Sequence, residues 1–133
     1  MRLLAVALSL AAAPAAYAWD AATHYALHCQ GCHLADGSET PGKVPPLAGS
    51  VAHFLRVPGG REFLVRVPGV ASAPLSDADL AALLEWTLRR FDAAAIPASH
   101  APYTAEEVAR LRRDPLVDVA RVRSALRAAL GER

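Results

Sequence analysis

Apolar residues recur at helical spacing along most of the chain, and strand-type alternation is almost absent. Asp20 stands where it caps a first helix, and Ala22, Tyr25, Ala26 and Cys29 mark one face of it, ending near Cys29 or Gln30. Residues 36–46 hold three prolines and two glycines and read as a loop. Ser50 is placed to cap a short helix through Leu55, Pro58-Gly59-Gly60 forms a turn, and residues 62–66 have room for one or two helical turns before Pro68-Gly69 breaks them. The clearest helix begins behind Ser76, with Asp79 in its first turn. Leu80, Leu83, Leu84, Thr87, Leu88 and Phe91 trace its inner face as far as Asp92. Thr104 and Glu107 have the spacing of a capping box, and Pro115 interrupts the helix they start. A last amphipathic helix spans about residues 116–130, with Val119, Val122, Leu126 and Leu130 inward and Gly131 as its stop.

The first residues follow another logic. Met1-Arg2 gives a positive start, residues 3–13 are small or apolar apart from Ser9, and Ala16-Tyr17-Ala18 is an A-x-A cleavage site. That is the layout of a secretory signal peptide spanning residues 1–18. Its apolar run is shorter than the roughly 20 residues that span a bilayer, so stable membrane insertion is not expected after cleavage. An uncut membrane-anchoring helix is the alternative. Removing 18 of the 133 residues takes Arg2 away and leaves 13 basic against 13 acidic residues. A chain so balanced lacks the basic excess of a nucleic-acid binder. Export points to a bacterial periplasm, an oxidising compartment.

The only two cysteines stand three positions apart, in Cys29-Gln-Gly-Cys32-His33. A redox or structural disulfide is one reading, but the thioredoxin-like setting needs βαβ units that this chain lacks. Zinc is a second, but it wants four ligands and there is no second cysteine pair. The third is covalent haem, for which C-x-x-C-H is the attachment motif. Each thiol adds across one of two neighbouring vinyl groups, and the histidine supplies the proximal nitrogen to the iron. Haem accounts best for both the motif and the export, with one haem c on Cys29 and Cys32 and His33 as the axial ligand.

With those residues in view, the chain resembles the class I cytochrome c family over residues 20–91. The resemblance rests on Tyr25 four positions before Cys29, on the C-x-x-C-H motif, on Pro45-Pro46-Leu47-Ala48-Gly49-Ser50, and on residues 75–86, LSDADLAALLEW. It implies an all-α, cytochrome c-like fold around one haem, covering residues 19–92, followed by a C-terminal helical extension, residues 93–133. It also implies that the first and last core helices cross at aromatic residues, roles that Tyr25 and Trp86 match. A carbonyl of Pro45 or Pro46 would accept a hydrogen bond from His33 and orient it.

The sequence departs from that family at the far side of the iron, where a methionine is usual. The sole methionine here is Met1, and the stretch where the family's would fall, residues 66–74, reads RVPGVASAP. The sixth position is therefore open under apolar side chains such as Val67 and Val70, or filled by another group. His53 is the leading internal candidate, although a polar residue near a propionate or solvent is its simpler reading. His24 and His28 share a helix with the attachment site and read as ordinary surface or partly buried histidines. His100 reads as a loop residue, and Lys43 is a remote option.

The extension carries Arg110, Arg112, Arg113, Arg121, Arg123 and Arg127, expected on its outer face, with five acids in the same segment. A solvated face is the plain reading and a docking surface for an acidic partner the alternative. Together these features point to a periplasmic, non-enzymatic electron carrier that passes single electrons between a dehydrogenase, oxidase or other redox protein and an acceptor. The alternative is a five-coordinate haem protein that binds or senses a small diatomic ligand. An enzyme such as a peroxidase would need a distal acid–base group, and neither His53 nor His100 has a helpful local setting.

Overall fold

The computed structural model describes residues 20–132, so the expected signal peptide lies outside the described residues. The described chain is helical. In order it forms α1 (Ala21–His28), a 3₁₀ turn (Val51–Arg56), α2 (Gly60–Arg66), α3 (Pro68–Ala71), α4 (Asp77–Asp92), a second 3₁₀ turn (Ala93–Ala95), α5 (Ala105–Leu111) and α6 (Val119–Ala129). Among the described residues the nearest thing to a sheet is a single antiparallel bridge between His33 and Glu39.

Local chemistry sets most of the boundaries. The Asp20 carboxylate accepts from the Thr23 N–H at 2.7 Å and starts α1. Ser76 does the same for α4, accepting from the Asp79 N–H at 3.1 Å. Leu80, Leu83, Leu84 and Leu88 of α4 are buried as the periodicity requires. Each such leucine contributes on the order of 2 kcal/mol. α4 crosses α1 at an aromatic cluster in which the rings of Tyr25 and Trp86 lie 5.3 Å apart and those of Tyr25 and Phe91 5.1 Å apart. Tyr25 is almost wholly buried there.

Several expectations from the sequence need correction. Ser50 does not cap the first 3₁₀ turn with its side chain, because its hydroxyl donates instead to the Pro46 carbonyl. Pro68 ends α2 but also begins α3, since a proline fits the first helical position, where its missing N–H is not needed. The capping box at Thr104 is half made. Thr104 Oγ1 accepts from the Glu107 N–H at 3.2 Å, but the Glu107 carboxylate turns away to Arg61. α5 stops at Leu111, ahead of Pro115, and α6 starts only at Val119, where Asp118 accepts from the Arg121 N–H at 3.0 Å.

The segment after Asp92 joins the same core. Tyr103, Val108, Leu111 and Leu126 are buried against residues of α2 and α4. Asp92 itself is a buried carboxylate, and it accepts from the Ala52 N–H at 2.8 Å, tying the end of α4 to the first 3₁₀ turn.

Three arginines of the extension are not on its outer face, Arg127 among them, half-buried where it lines a cleft with Arg123. Arg112 points inward, donating to the carbonyls of Ala71, Ala73 and Leu75 and to Asp77, so it grips residues 71–77. Beside it, the Arg66 carbonyl accepts from the Leu116 N–H at 2.9 Å, and the Arg66 side chain donates to the Asp114 carbonyl at 2.7 Å. Arg123 is half-buried along α6 with its Nε shielded from solvent.

Candidate functional site

α1 delivers the cysteine pair. The Cys29 N–H closes the helix on the Tyr25 carbonyl at 2.9 Å. The chain then makes one more helical turn, with the N–H groups of Cys32 and His33 both donating to the Cys29 carbonyl, at 3.1 and 3.0 Å. Positions three and four residues apart in such a turn lie on one side of it. The two-residue gap thus brings Cys29, Cys32 and His33 together. No disulfide joins the two cysteines, of which Cys29 is half-buried and Cys32 exposed. Burial pushes the Cys29 thiol above its ordinary value.

His33 is anchored from the other direction by its bridge to Glu39, and the Thr40 N–H donates back to the Cys32 carbonyl at 3.1 Å. The loop between them is pinned by Tyr25, whose hydroxyl donates to the Leu34 carbonyl at 2.8 Å. Gly37 completes the turn with φ +79°, and a Cβ there would sit 2.5 Å from the Phe91 ring. The Gly37 carbonyl then accepts from the N–H groups of Leu47 and Ala48. His33 Nδ1 is buried without a hydrogen-bond partner. The Pro46 carbonyl, one of the two acceptors the resemblance implied for it, is taken by Ser50 Oγ. Burial holds the His33 imidazole below its ordinary value, which favours the neutral form that ligates metals.

Next to this turn opens a cleft of about 580 Å³. The loop residues Glu39, Lys43, Pro45 and Pro46 form one side, and Arg123 and Arg127 of α6 the other. Two cysteines, a half-buried imidazole with a shielded, unsatisfied Nδ1, and an adjoining cleft suit a haem held by thioether bonds and by a histidine on its iron. Among the described residues, no group of three or more His, Cys, Asp and Glu side chains, the Cys29–His33 turn included, converges to hold a metal ion by itself.

The other histidines fall in three settings. His24 is buried on α1, its Nε2 4.0 Å from the Asp79 carboxylate, and its ring is stacked 6.1 Å from that of exposed His28. His53 lies on the first 3₁₀ turn with Nδ1 3.2 Å from Glu132 Oε1. His100, expected as a plain loop residue, is buried in a polar cluster that sequence reasoning missed. Arg61 Nη1 is 3.2 Å from His100 Nδ1, and His100 Nε2 is 2.9 Å from Glu85 Oε1. A guanidinium only donates, so Nδ1 accepts and Nε2–H donates, which fixes the tautomer. The same Arg61 makes a two-pronged pair with Glu107 at 2.7 and 2.6 Å and lies 4.0 Å above the Tyr103 ring. The partners are 15 to 46 residues apart, so no local motif announces the cluster.

No family model matches the chain. Curated relatives do. A cytochrome c-552 of Thermus thermophilus is 39% identical over 111 residues, covering 70% of this chain and 84% of that protein. A second cytochrome c-552, from a named strain of Thermus thermophilus, is also 39% identical over 111 residues, with 70% and 74% covered. Identity at that level over most of both chains, together with the helical fold and the Cys29–His33 turn, places this protein: it belongs to the c-type cytochromes, electron-transfer proteins rather than enzymes, and carries covalently bound haem c.

Proposed function

We propose that this cytochrome is a periplasmic carrier of single electrons, with its haem joined to Cys29 and Cys32 and with His33 as the axial ligand of the iron. The observation that carries the assignment is the single helical turn that sets Cys29, Cys32 and His33 on one side, with the imidazole half-buried. When bound, the haem supplies the one-electron couple. The chain's own residues hold and orient it. α1 and the Tyr25–Leu34 hydrogen bond fix the attachment turn, and burial keeps His33 neutral. The periplasmic setting rests on the signal-peptide layout of residues 1–18. The donor and acceptor are redox proteins, a dehydrogenase or an oxidase among the candidates. Among the described residues no helix is long and apolar enough to cross a membrane.

Mass spectrometry tests the assignment on protein exported from cells with haem-attachment machinery. The expected mass is that of residues 19–133 plus one haem. A mature protein lacking haem, or an unaltered optical spectrum in His33→Ala, would refute it.

A second reading, a five-coordinate iron that binds a small diatomic ligand, is favoured by one observation: the sole methionine is Met1. Without a thioether, the internal candidate is His53. Its Nδ1 contact with Glu132 is the carboxylate pairing that orients a metal-bound imidazole and leaves Nε2 with the lone pair. His100 is disfavoured because both of its ring nitrogens are already engaged. Rapid carbon monoxide binding by the ferrous protein would support the open iron. Absence of binding that His53→Ala restores would assign His53 as the sixth ligand.

A further inference from the structure

α6 carries arginines with opposite fates. Arg121 is 77% exposed at its side chain and pairs with Asp118 in the turn before it. Arg123, two positions on, faces the other way, and its Nε is buried without a hydrogen-bond partner. Arg127, one helical turn later, lines the same cleft and pairs with Glu132 through Nε at 3.0 Å. Lys43 closes the cleft from the loop side.

Shielding the Nε–H of a half-buried guanidinium without an acceptor is unfavourable, and placing a second guanidinium four residues away on a helix adds repulsion. Burial first, and then Arg127, accordingly hold the Arg123 guanidinium below its ordinary value. The nearby acids do not remove the imbalance. Glu39 and Glu132 stand against three cations, and Glu132 is already shared between His53 and Arg127. What is missing is an oxyanion, and a guanidinium fork matches a planar carboxylate in particular.

The cleft's position says which oxyanion. Glu39 is at once a wall of the cleft and the bridge partner of His33, so the cleft adjoins the attachment turn. A haem fixed there brings two carboxylates of its own. We propose that Arg123, with Arg127 and Lys43 beside it, forms the site for a haem carboxylate, and that this contact docks α6 of the C-terminal extension onto the haem. The proposal rests on the assignment of the haem to Cys29 and Cys32.

Haem-loaded full-length protein tests it, with haem content established first by mass, so that a failed attachment is seen separately. Three variants are compared with the wild type: Arg123→Gln, which keeps the stem and removes the charge; Arg123→Lys, which keeps the charge and loses the fork; and Arg121→Ala, which removes a charge from the exposed side of the same helix. The expected results are a lower midpoint potential in Arg123→Gln, because the carboxylate's negative charge is no longer offset, and hydrogen exchange in residues 119–129 faster by roughly tenfold. Arg123→Lys should recover most of the potential but only part of the protection, and Arg121→Ala should change neither. Inorganic phosphate supplies the other possible source of the anion. Saturable protection of α6 by phosphate in haem-loaded wild type, with an unchanged potential in Arg123→Gln, would mean a free-anion site and overturn the proposal. Equal effects of Arg121→Ala and Arg123→Gln would overturn it as well.

Discussion

The hydroxyl of Tyr25 donates to the carbonyl of Leu34 across 2.8 Å, joining α1 to the loop that follows His33. The ring is almost wholly buried between α1 and α4, and the hydrogen bond is partly buried. Tyr25→Phe should cost about 1 kcal/mol in denaturant unfolding, the net worth of one partly buried hydrogen bond. It should also alter the alkaline limb. Burial, with Cys29 and Asp36 nearby, pushes the Tyr25 hydroxyl up to about 12 from 10.0. A pKa raised on folding gives stability that is present below the unfolded value and lost as pH rises from about 10 towards about 12. That alkaline loss should be smaller in the phenylalanine variant, and an identical alkaline profile would contradict the role given to Tyr25.

Arg61 and Glu107 give a signature at the other end of the pH scale. The Arg61 guanidinium, through its hydrogen bonds, holds the Glu107 carboxyl below its ordinary 4.5. A pKa depressed on folding contributes stability above the unfolded value, which is lost as pH falls through the folded one. Glu107→Gln should therefore lower stability by about 2 kcal/mol at neutral pH and flatten the acid limb below about pH 4.5. Thermal melts across that range measure both effects.

Gly60 is a steric requirement with an ordinary backbone. A Cβ at this position would lie 1.9 Å from the Phe54 carbonyl oxygen, and backbone cannot yield as a flexible side-chain tip would. Gly60→Ala should destabilise by about 2–3 kcal/mol, the range of an overpacked core. Gly69, with nothing within 4 Å of its would-be Cβ, is the control and should tolerate alanine.

Arg112 should be irreplaceable even by lysine. Its guanidinium spreads hydrogen bonds over the Ala71, Ala73 and Leu75 carbonyls and Asp77, a reach that a single ammonium lacks. Arg112→Lys should speed amide exchange in residues 68–75 while leaving α1 protected. Uniform exchange changes along the chain would argue for global destabilisation instead.

Replacing Cys29 or Cys32 with alanine should remove one of the two thioether bonds of the proposed attachment. Haem that is attached in a single variant should stay on the remaining thioether through denaturation and extraction, whereas the variant with both cysteines replaced should lose it, read by mass and by absorbance of the protein fraction.

The helices and the Cys29–His33 turn are legible in the sequence because their causes are local. Caps at Asp20 and Ser76, leucines at helical spacing in α4, and the C-x-x-C-H spacing each act within a few residues. The departures share the opposite property. Arg112 and Arg123 read as part of a solvated face because arginine usually is, and composition cannot show that carbonyls 37 to 41 residues away need a donor. His100 reads as a loop residue because its partners, Arg61 and Glu85, belong to other helices. Glu107 has the spacing of a capping box, but a bidentate arginine competes better for its carboxylate than a single backbone N–H.

The Arg112 contacts carry a consequence for the order of assembly. A chain that emerges amino-terminus first exposes Cys29 and Cys32 long before Arg112 and Leu116 exist to fasten residues 66–77. Closing those long loops has an entropic cost, so the fastening comes late. The attachment turn, built from contacts within ten residues, forms early by the same reasoning. There is thus an interval in which the cysteines are presented while residues 66–77 are still unfastened. The carboxy-terminal segment thus closes on residues 66–77 only after the turn that holds the cysteines has formed.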